Sequence, residues 1–463
     1  MSMGKRDNER QAEMWIAATD MPAGPGHPFY RKLNQLLASQ GFDAFAEDKC
    51  LKFYTANKGR RSIPPGVYFR MLLIGYFEGI DSERGIAWRC ADSRTLGGFL
   101  GYGPTERTPD HSSLSIIRQR IDIETHQEVF CRVLEMLAAS KLLKGKTLGV
   151  DATTLEANAA MRSIVRRDTG ESYEAFLTKL AQANGIETPT REDLARLDRK
   201  RKKKGSNDDW HNPNDPDAKI TKMKDTRTHL AHKAEHAVDL DTGAIVAVTL
   251  QPANSGDTTT IDETLCESVA NLEEVRKTSA GEHLASDAIE EVVADKGYHS
   301  NDVVLGLSDA EIRSYVSEPK RGRRNWRDKE AERIAVYANR RRIRGERGKK
   351  LLRKRGELLE RPFAHCYETG AMRRTHLRGH PNILKRVLIH VAGFNLSLLM
   401  RKLFGIGKPR ALQDAMGRVL GIFGDFCHVI AATRSLMKQV NALREDLANI
   451  ILQSTSHRLT MAA

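Results

Sequence analysis

Residues 292–300 read VVADKGYHS. Val292, Val293 and Ala294 form an apolar run that predicts a short buried strand; Asp295 ends it, and Lys296 and the turn former Gly297 follow directly. A carboxylate at the tip of a buried strand loses the water that stabilises its charge, and something must offset that loss. A helix cap, a salt bridge with an arginine, or a metal ion would each do so. Asp295 alone does not choose among them.

A second stretch poses the same problem. LKGKTLGVDATTLEANA (143–159) reads as another apolar strand, this one ending in Asp151. In open α/β sheets the carboxyl edge of the strands is where sites are built. Neighbouring strands lie about 4.8 Å apart, and two carboxylates that close repel unless a cation lies between them. Paired Mg²⁺ ions, about 3.5–4 Å apart, need such hard oxygen ligands and clamp the attacking and leaving oxygens of a phosphoryl transfer. A third acid has to come from another element. Glu357, Glu360 and Glu368 are offered by a helix beyond residue 350, and with Leu352, Leu359 and Phe363 as its buried stripe, Glu360 lies beside the apolar face. Pro362 is tolerated there if the helix starts or bends at it. The competing reading is that both aspartates are ordinary caps.

The chain has 463 residues, 40% apolar and 29% charged, which suits a soluble protein of two or three domains. The segment MSMGKRDNERQAEMW lacks the apolar stretch of a signal peptide. The longest apolar run, VLIHVAGFNLSLLM (387–400), carries His390 and Asn395 and predicts a buried helix, so no membrane is expected. Cys50, Cys90, Cys131, Cys266, Cys366 and Cys427 are scattered without a CxxC pair, which argues against a disulfide framework or a cysteine zinc site and suits a reducing cytoplasm. The net charge is +14. Between Pro319 and Gly356 stand 17 Lys and Arg against 4 Asp and Glu, so one short segment carries nearly all the excess. A single-sign field of this kind favours a polyanion, and Trp326 and Tyr337 within it are suited to stack on bases. A solvated linker is the alternative.

The order of elements points to an α/β chain. A helical lead-in (1–50) precedes a helical domain (51–137), where IPPGVYFRMLLIGYFEGI starts a helix at Pro64 and Pro65, and Asp110 or Ser112 caps a helix exposing Arg118 and Arg120. A strand-rich region (143–405) follows, broken by a polar insertion (155–228), mobile in part, that contains the capping box Thr190–Asp193 and the loop-like NDDWHNPNDPDAK. HLAHKAEHAVDLDTGAIVAVTLQPANSGD (229–257) is a hairpin turning at DLDTG, and the helix that follows starts at Asp257. The basic segment (319–356) leads into late helices, and a helical tail fills 406–463.

VDATTLEANA, VVADKGYHS and LLERPFAHCYETGAMRRTHLRG, in that order, resemble the three-acid core of bacterial insertion-sequence transposases of the DDE class. RSIPPGVYFRMLLIGYFEGIDSERGIAWRCADSRTLGGFLGY is similar to their helical N-terminal domain, and HKAEHAVDLDTGAIVAVTLQPANSGDT to their second and third strands. The resemblance implies an RNase H-like mixed-sheet catalytic core with a helical N-terminal DNA-binding domain and a helical C-terminal tail. It implies that Asp151, Asp295 and Glu360 are catalytic and bind Mg²⁺, or Mn²⁺ in its place. The reaction would be metal-dependent cleavage and strand transfer of double-stranded DNA, at the element's terminal inverted repeats and in the target, by a homo-oligomer assembled on DNA in the bacterial cytoplasm, at the nucleoid. In related transposases a Tyr and an Arg precede the catalytic Glu and a Lys trails it. Here Arg353 and Arg355 precede Glu360, the Tyr is not evident and the Lys is missing, with Arg373 and Arg374 placed to hold phosphate instead.

The expected DNA contacts are Lys296, Arg118, Arg120, Arg321, Arg323, Arg324, Arg327, Arg340, Arg341, Arg342, Arg344, Lys349, Lys350, Arg353, Arg373 and Arg374. His229, His232 and His236 mimic a zinc spacing, but strand alternation turns His229 away from the other two. GGFLGYG (97–103) follows no strand and lacks the GK[ST] of a phosphate loop. Asp241 belongs to the hairpin turn; Asp257 is read as a helix cap, with a role near the metal left open. Two rival functions remain: a non-catalytic DNA-binding regulator derived from such an enzyme, and a metal-dependent, structure-specific nuclease.

Overall fold

Polar side chains at the starts of helices organise the N-terminal segment. In the computed structural model, which describes residues 26–55, 62–201, 205–223, 227–320, 322 and 324–410, this segment holds α1 (Pro28–Ser39), α2 (Phe42–Cys50), α3 (Pro65–Glu78), α4 (Glu83–Asp92), α5 (Arg94–Phe99), α6 (His111–Arg120) and α7 (Ile123–Ala139). Ser82, Ser93, Asp110 and Asp122 each accept a hydrogen bond from a first-turn N–H and so start α4 to α7. Asp110, not Ser112, is therefore the cap of α6. α3 begins at a proline, ends at Gly79, and is buried on every side from Gly66 to Phe77. It is a central core helix rather than an amphipathic one.

The sheet comes next. β1 (Thr147–Glu156) is followed by the insertion, with β2 (Val165–Arg166), α8 (Tyr173–Ala183), α9 (Arg191–Lys200), β3 (Trp210–His211) and β4 (Lys219–Lys222). β5 (Thr228–Asp239), β6 (Ile245–Pro252), α10 (Asp257–Arg276), β7 (Glu291–Ala294), α11 (Asn301–Asp309), β8 (Arg313–Val316), α12 (Glu330–Arg344), α13 (Glu346–Phe363) and α14 (His380–Phe404) complete the described chain. The strand order is β6–β5–β1–β7–β8, with β5 antiparallel to both its neighbours and β7 and β8 parallel to β1. β4 adds to the first residues of β5. This is an RNase H-like sheet, as the resemblance implied.

Two expectations need correction. First, β1 does not end at Asp151. Its ladder with β5 continues from Asp151↔His236 to Glu156↔Ala231, and that one-sided pairing carries the strand five residues further. Second, the loop-like stretch 207–219 is packed: Trp210 meets Tyr173 and Phe176 edge-on at 5.0 and 5.3 Å, and Asn212 and Asp215 are fully buried. The insertion has small apolar clusters of its own. The basic segment, expected as a surface for a polyanion with a linker as the alternative, is ordered: most of it forms α12 and the start of α13.

One continuous core joins the helical segment to the sheet: Phe69 and Leu134 belong to the same buried cluster as Val150, Val246 and Val293. The chain divides at Gly407, and residues 411–463, where the helical tail was expected, lie outside the described residues. α14 is long and apolar enough to cross a membrane, but 89% of its apolar stretch is buried inside the fold.

Two edge strands of the sheet, β6 and β8, are each bonded by an asparagine. Asn395 of α14 bonds the N–H and C=O of Ile245 on β6 at 2.9 and 2.8 Å. Asn339 of α12 does the same for Val316 on β8, at 3.0 and 2.8 Å. Unpaired edge groups invite pairing with another chain, and each asparagine removes one donor and one acceptor from that risk. Asn339→Leu or Asn395→Leu orphans two buried backbone groups, at about 1–3 kcal/mol each. Chemical denaturation of either variant should show a loss of that size, while an exposed control, Lys350→Leu, stays near the parent.

Candidate active site

The two aspartates are brought together by strand register. β1 and β7 pair in parallel at Thr147↔Glu291, Leu148↔Val292 and Gly149↔Val293. Continuing the same offset sets Asp151 level with Asp295. There the ladder stops, because β7 ends at Ala294 while β1 runs on against β5. Asp295 opens a short turn, Lys296–Tyr298, by accepting the Gly297 N–H at 2.8 Å. It is thus a cap, and it also stands beside a second carboxylate where two parallel strands part, the position at which α/β sheets build sites.

Asp151 points to the face of the sheet covered by α13. Gly149, two residues earlier, allows the helix to come close: a Cβ there would lie 2.7 Å from Leu359 Cδ1. Arg355 of α13 pairs with Asp151 at 2.8 Å and also donates to the Val150 carbonyl at 3.2–3.3 Å. Burial pushes the Asp151 carboxyl above its ordinary value; Arg355 opposes the rise, and the charges of Asp295 and Asp257 add to it. Asp257 was read from sequence as a cap. Gly256 holds that position, and Asp257, the first residue of α10, is paired with Lys233 at 2.6 Å.

Glu360 lies exposed on α13, five residues beyond Arg355. Glu357 is paired with Arg361, and Glu368 with Arg373 at 2.6 Å. Pro362 sits in the last turn of α13, and a π-turn, Ala364–Glu368, follows it. That turn brings the Tyr367 hydroxyl to His236 Nε2 at 2.6 Å. Among the described residues, no three acids or histidines stand close enough to hold one ion as they are placed. The donors around Asp151 are nevertheless right for a hard cation: carboxylate oxygens, one of which already draws a guanidinium. His232 and His236 take other partners, Asp215 and Tyr367.

The basic residues divide into two groups. Lys296, Arg120, Arg327, Arg341, Arg344, Lys349, Lys350, Arg353 and Arg374 are exposed. Arg120 lies over the Tyr54 ring, Lys349 pairs with Glu346, and Arg374 comes within 3.8 Å of Glu156. The others work inside the fold. Arg118, expected on the surface, is 8% exposed and ties α6 to Glu83 and Asn382. Arg324 and Arg340 both grip Glu318, and they cover the rings of Trp326 and Tyr337. Arg342 bonds Ser314 on β8, and Arg373 reaches Thr153 and Thr154 on β1. Arg321 and Arg323 lie outside the described residues.

The raised carboxyl of Asp151 has a consequence for stability. Between its ordinary value of 3.8 and its higher folded value, the folded chain holds a proton that the unfolded chain has released. Its contribution to stability therefore improves as pH falls through the folded value and levels off below 3.8. Denaturation of the metal-free protein and of Asp151→Asn across this window should show the difference moving in the parent's favour on acidification. A difference independent of pH would contradict the shift.

The family described as "Transposase domain (DUF772)" matches residues 20–120, the helical segment. The family described as "Transposase DDE domain" matches residues 191–414, which include Asp257, Asp295 and Glu360 and begin after Asp151. Comparison with curated proteins and with solved structures gave no match. With both domains in their order along one chain, and an RNase H-like sheet beneath the second, the chain belongs to the DDE transposases of insertion sequences, enzymes that act on DNA.

Proposed function

We propose that Asp151, Asp295 and Glu360 form the catalytic site and hold divalent cations, Mg²⁺ or Mn²⁺, for cutting and joining DNA at the element's terminal inverted repeats. The observation that supports this most is the level placement of Asp151 and Asp295 where β1 and β7 part. When bound, such cations would polarise the scissile phosphate and stabilise the charge on the attacking and leaving oxygens. Glu360 is carried by α13, the helix whose Leu359 packs over Gly149. A turn of its side chain toward the sheet is what the reading asks of it.

The chain's own residues prepare the site. Arg355 fixes the Asp151 carboxylate and tempers its repulsion with Asp295 before a cation arrives. Nicking hydrolyses one phosphodiester and leaves a 3′-hydroxyl. That hydroxyl then displaces a phosphodiester oxygen in the target, one P–O bond forming as another breaks, so joining needs no outside energy source. The exposed cations of α12 and α13, with Lys296, would follow the DNA backbone. α4 and α6 pack together and leave Trp88 and Ile116 64% and 55% exposed, a surface suited to the terminal repeats. Joining two ends at one target calls for paired sites, hence a homo-oligomer on DNA, working at the nucleoid.

Asp151→Ala or Asp295→Ala should abolish nicking of a labelled terminal-repeat duplex in Mg²⁺, with retention of the duplex in a gel-shift assay unchanged within about threefold, since the phosphate contacts that dominate affinity lie elsewhere. Full cleavage by either variant would remove the assignment. Replacing Arg341 and Arg344 together with Ala should lower the slope of log affinity against log salt by about 0.9 for each phosphate that the variant no longer neutralises. An unchanged slope would take α12 off the DNA path.

A further inference from the structure

We propose that Asp257 is a fourth acid of the active site and a ligand of the divalent cation held with Asp295. The inference rests on the reading above and extends it to a residue outside the three-acid pattern. α10 follows the third core strand, β6, and its first residue arrives at the same rim of the sheet as the end of β7. Gly297 shows how close the two acids are. A Cβ at that position would lie 2.4 Å from Asp257 Oδ2 and 3.1 Å from Asp295 Oδ1. Only a residue without a side chain leaves that space open, so both carboxylates border one small gap.

The other oxygen of Asp257 is held from behind. Lys233 on β5 is 4% exposed, and its Nζ meets Asp257 Oδ1 at 2.6 Å, Thr260 Oγ1 at 2.9 Å, and Glu235 Oε1 at 3.6 Å. Glu235 is fully buried and accepts from Thr260, Thr264 and Tyr298 at 2.6–2.8 Å. An aspartate that merely favours a helix start needs no buried lysine and glutamate to aim it. Here the network fixes Oδ1 inward and leaves Oδ2 facing Asp295. Among the described residues no Lys or Arg is paired with Asp295, so the gap between these two acids is short of positive charge. Asp257 also acts on Asp151, whose carboxyl it helps to hold above the ordinary range. Acids would then converge from both faces of the sheet: Asp257 with α10, and Asp151 and Glu360 on the α13 side.

Titrating Mn²⁺ into the full-length, metal-free protein and following binding by calorimetry tests this without any turnover. Asp257→Asn should weaken Mn²⁺ binding about tenfold or more, and Asp257→Glu should recover part of it. Because Asp257→Asn strands the buried Lys233, the double variant Lys233→Met/Asp257→Asn is measured as well and should show the same loss with a thermal midpoint near the parent's. If Asp257→Asn and the double variant bind as the parent does while Asp295→Asn does not, Asp257 is only the partner of Lys233 and the proposal is overturned, with the three-acid reading intact. If Asp257→Asn loses binding and Asp295→Asn keeps it, Asp257 stands as a ligand and the assignment of Asp295 fails. A parent that binds no Mn²⁺ overturns both.

Discussion

Repulsion between carboxylates on neighbouring strands is the constraint around which this molecule is arranged. Two unit charges about 5 Å apart at an effective dielectric constant of about 20 oppose each other by about 3 kcal/mol. The parallel register of β1 and β7 sets Asp151 level with Asp295, and the Asp295 charge adds to the rise of the Asp151 carboxyl. The fold bears that repulsion with local partners: Arg355 on Asp151, the Gly297 amide on Asp295 and Lys233 on Asp257. Each partner engages one acid, and among the described residues no Lys or Arg is paired with Asp295. A cation placed between the acids would meet a site whose repulsion it relieves, which is the physical basis for affinity.

Holding those partners requires helices on both faces of the sheet. β5 makes this possible, since its alternation sends Lys233 and Glu235 toward α10 and His236 toward α13. The Tyr367–His236 bond then fixes the chain just past Pro362, where a proline has removed a helical hydrogen bond and a π-turn follows. Asn339 and Asn395 each occupy one donor and one acceptor on an edge strand, β8 and β6.

What the sequence showed was mostly local. The strand before Asp295, the DLDTG hairpin, the Thr190–Asp193 capping box and the proline start of α3 each depend on residues within a few positions, and each is present. What it hid depends on distant partners. Arg118 looked exposed on its own helix, yet its guanidinium meets Asn382, 264 residues later. Asp257 looked like a cap because Lys233 belongs to another element. Asp151 looked like a strand end because the apolar run before it stops at the acid; only β5, across the insertion, shows that the residues beyond it pair. A one-dimensional pattern reports which residues are unusual, and the reason has to be sought in whichever segment the fold brings alongside.

The basic segment carries the same lesson into binding. Its surplus of 13 charges suggested a uniform surface for DNA, but several of its cations have structural employment. Arg324 and Arg340 share Glu318, Arg342 caps the edge of β8, Arg347 pairs with the buried Glu291, and Arg355 serves Asp151. A guanidinium already held by a carboxylate or a carbonyl inside the fold releases few counterions when a duplex arrives. On the proposed reading, the field that reaches DNA would therefore come from the outward side chains of α12 and α13, chiefly Arg341, Arg344, Lys350 and Arg353. The inward ones set where that surface lies relative to Asp151. In one run of sequence, the same residue type braces the fold beside Asp151 and faces outward, and packing alone decides which arginine does which.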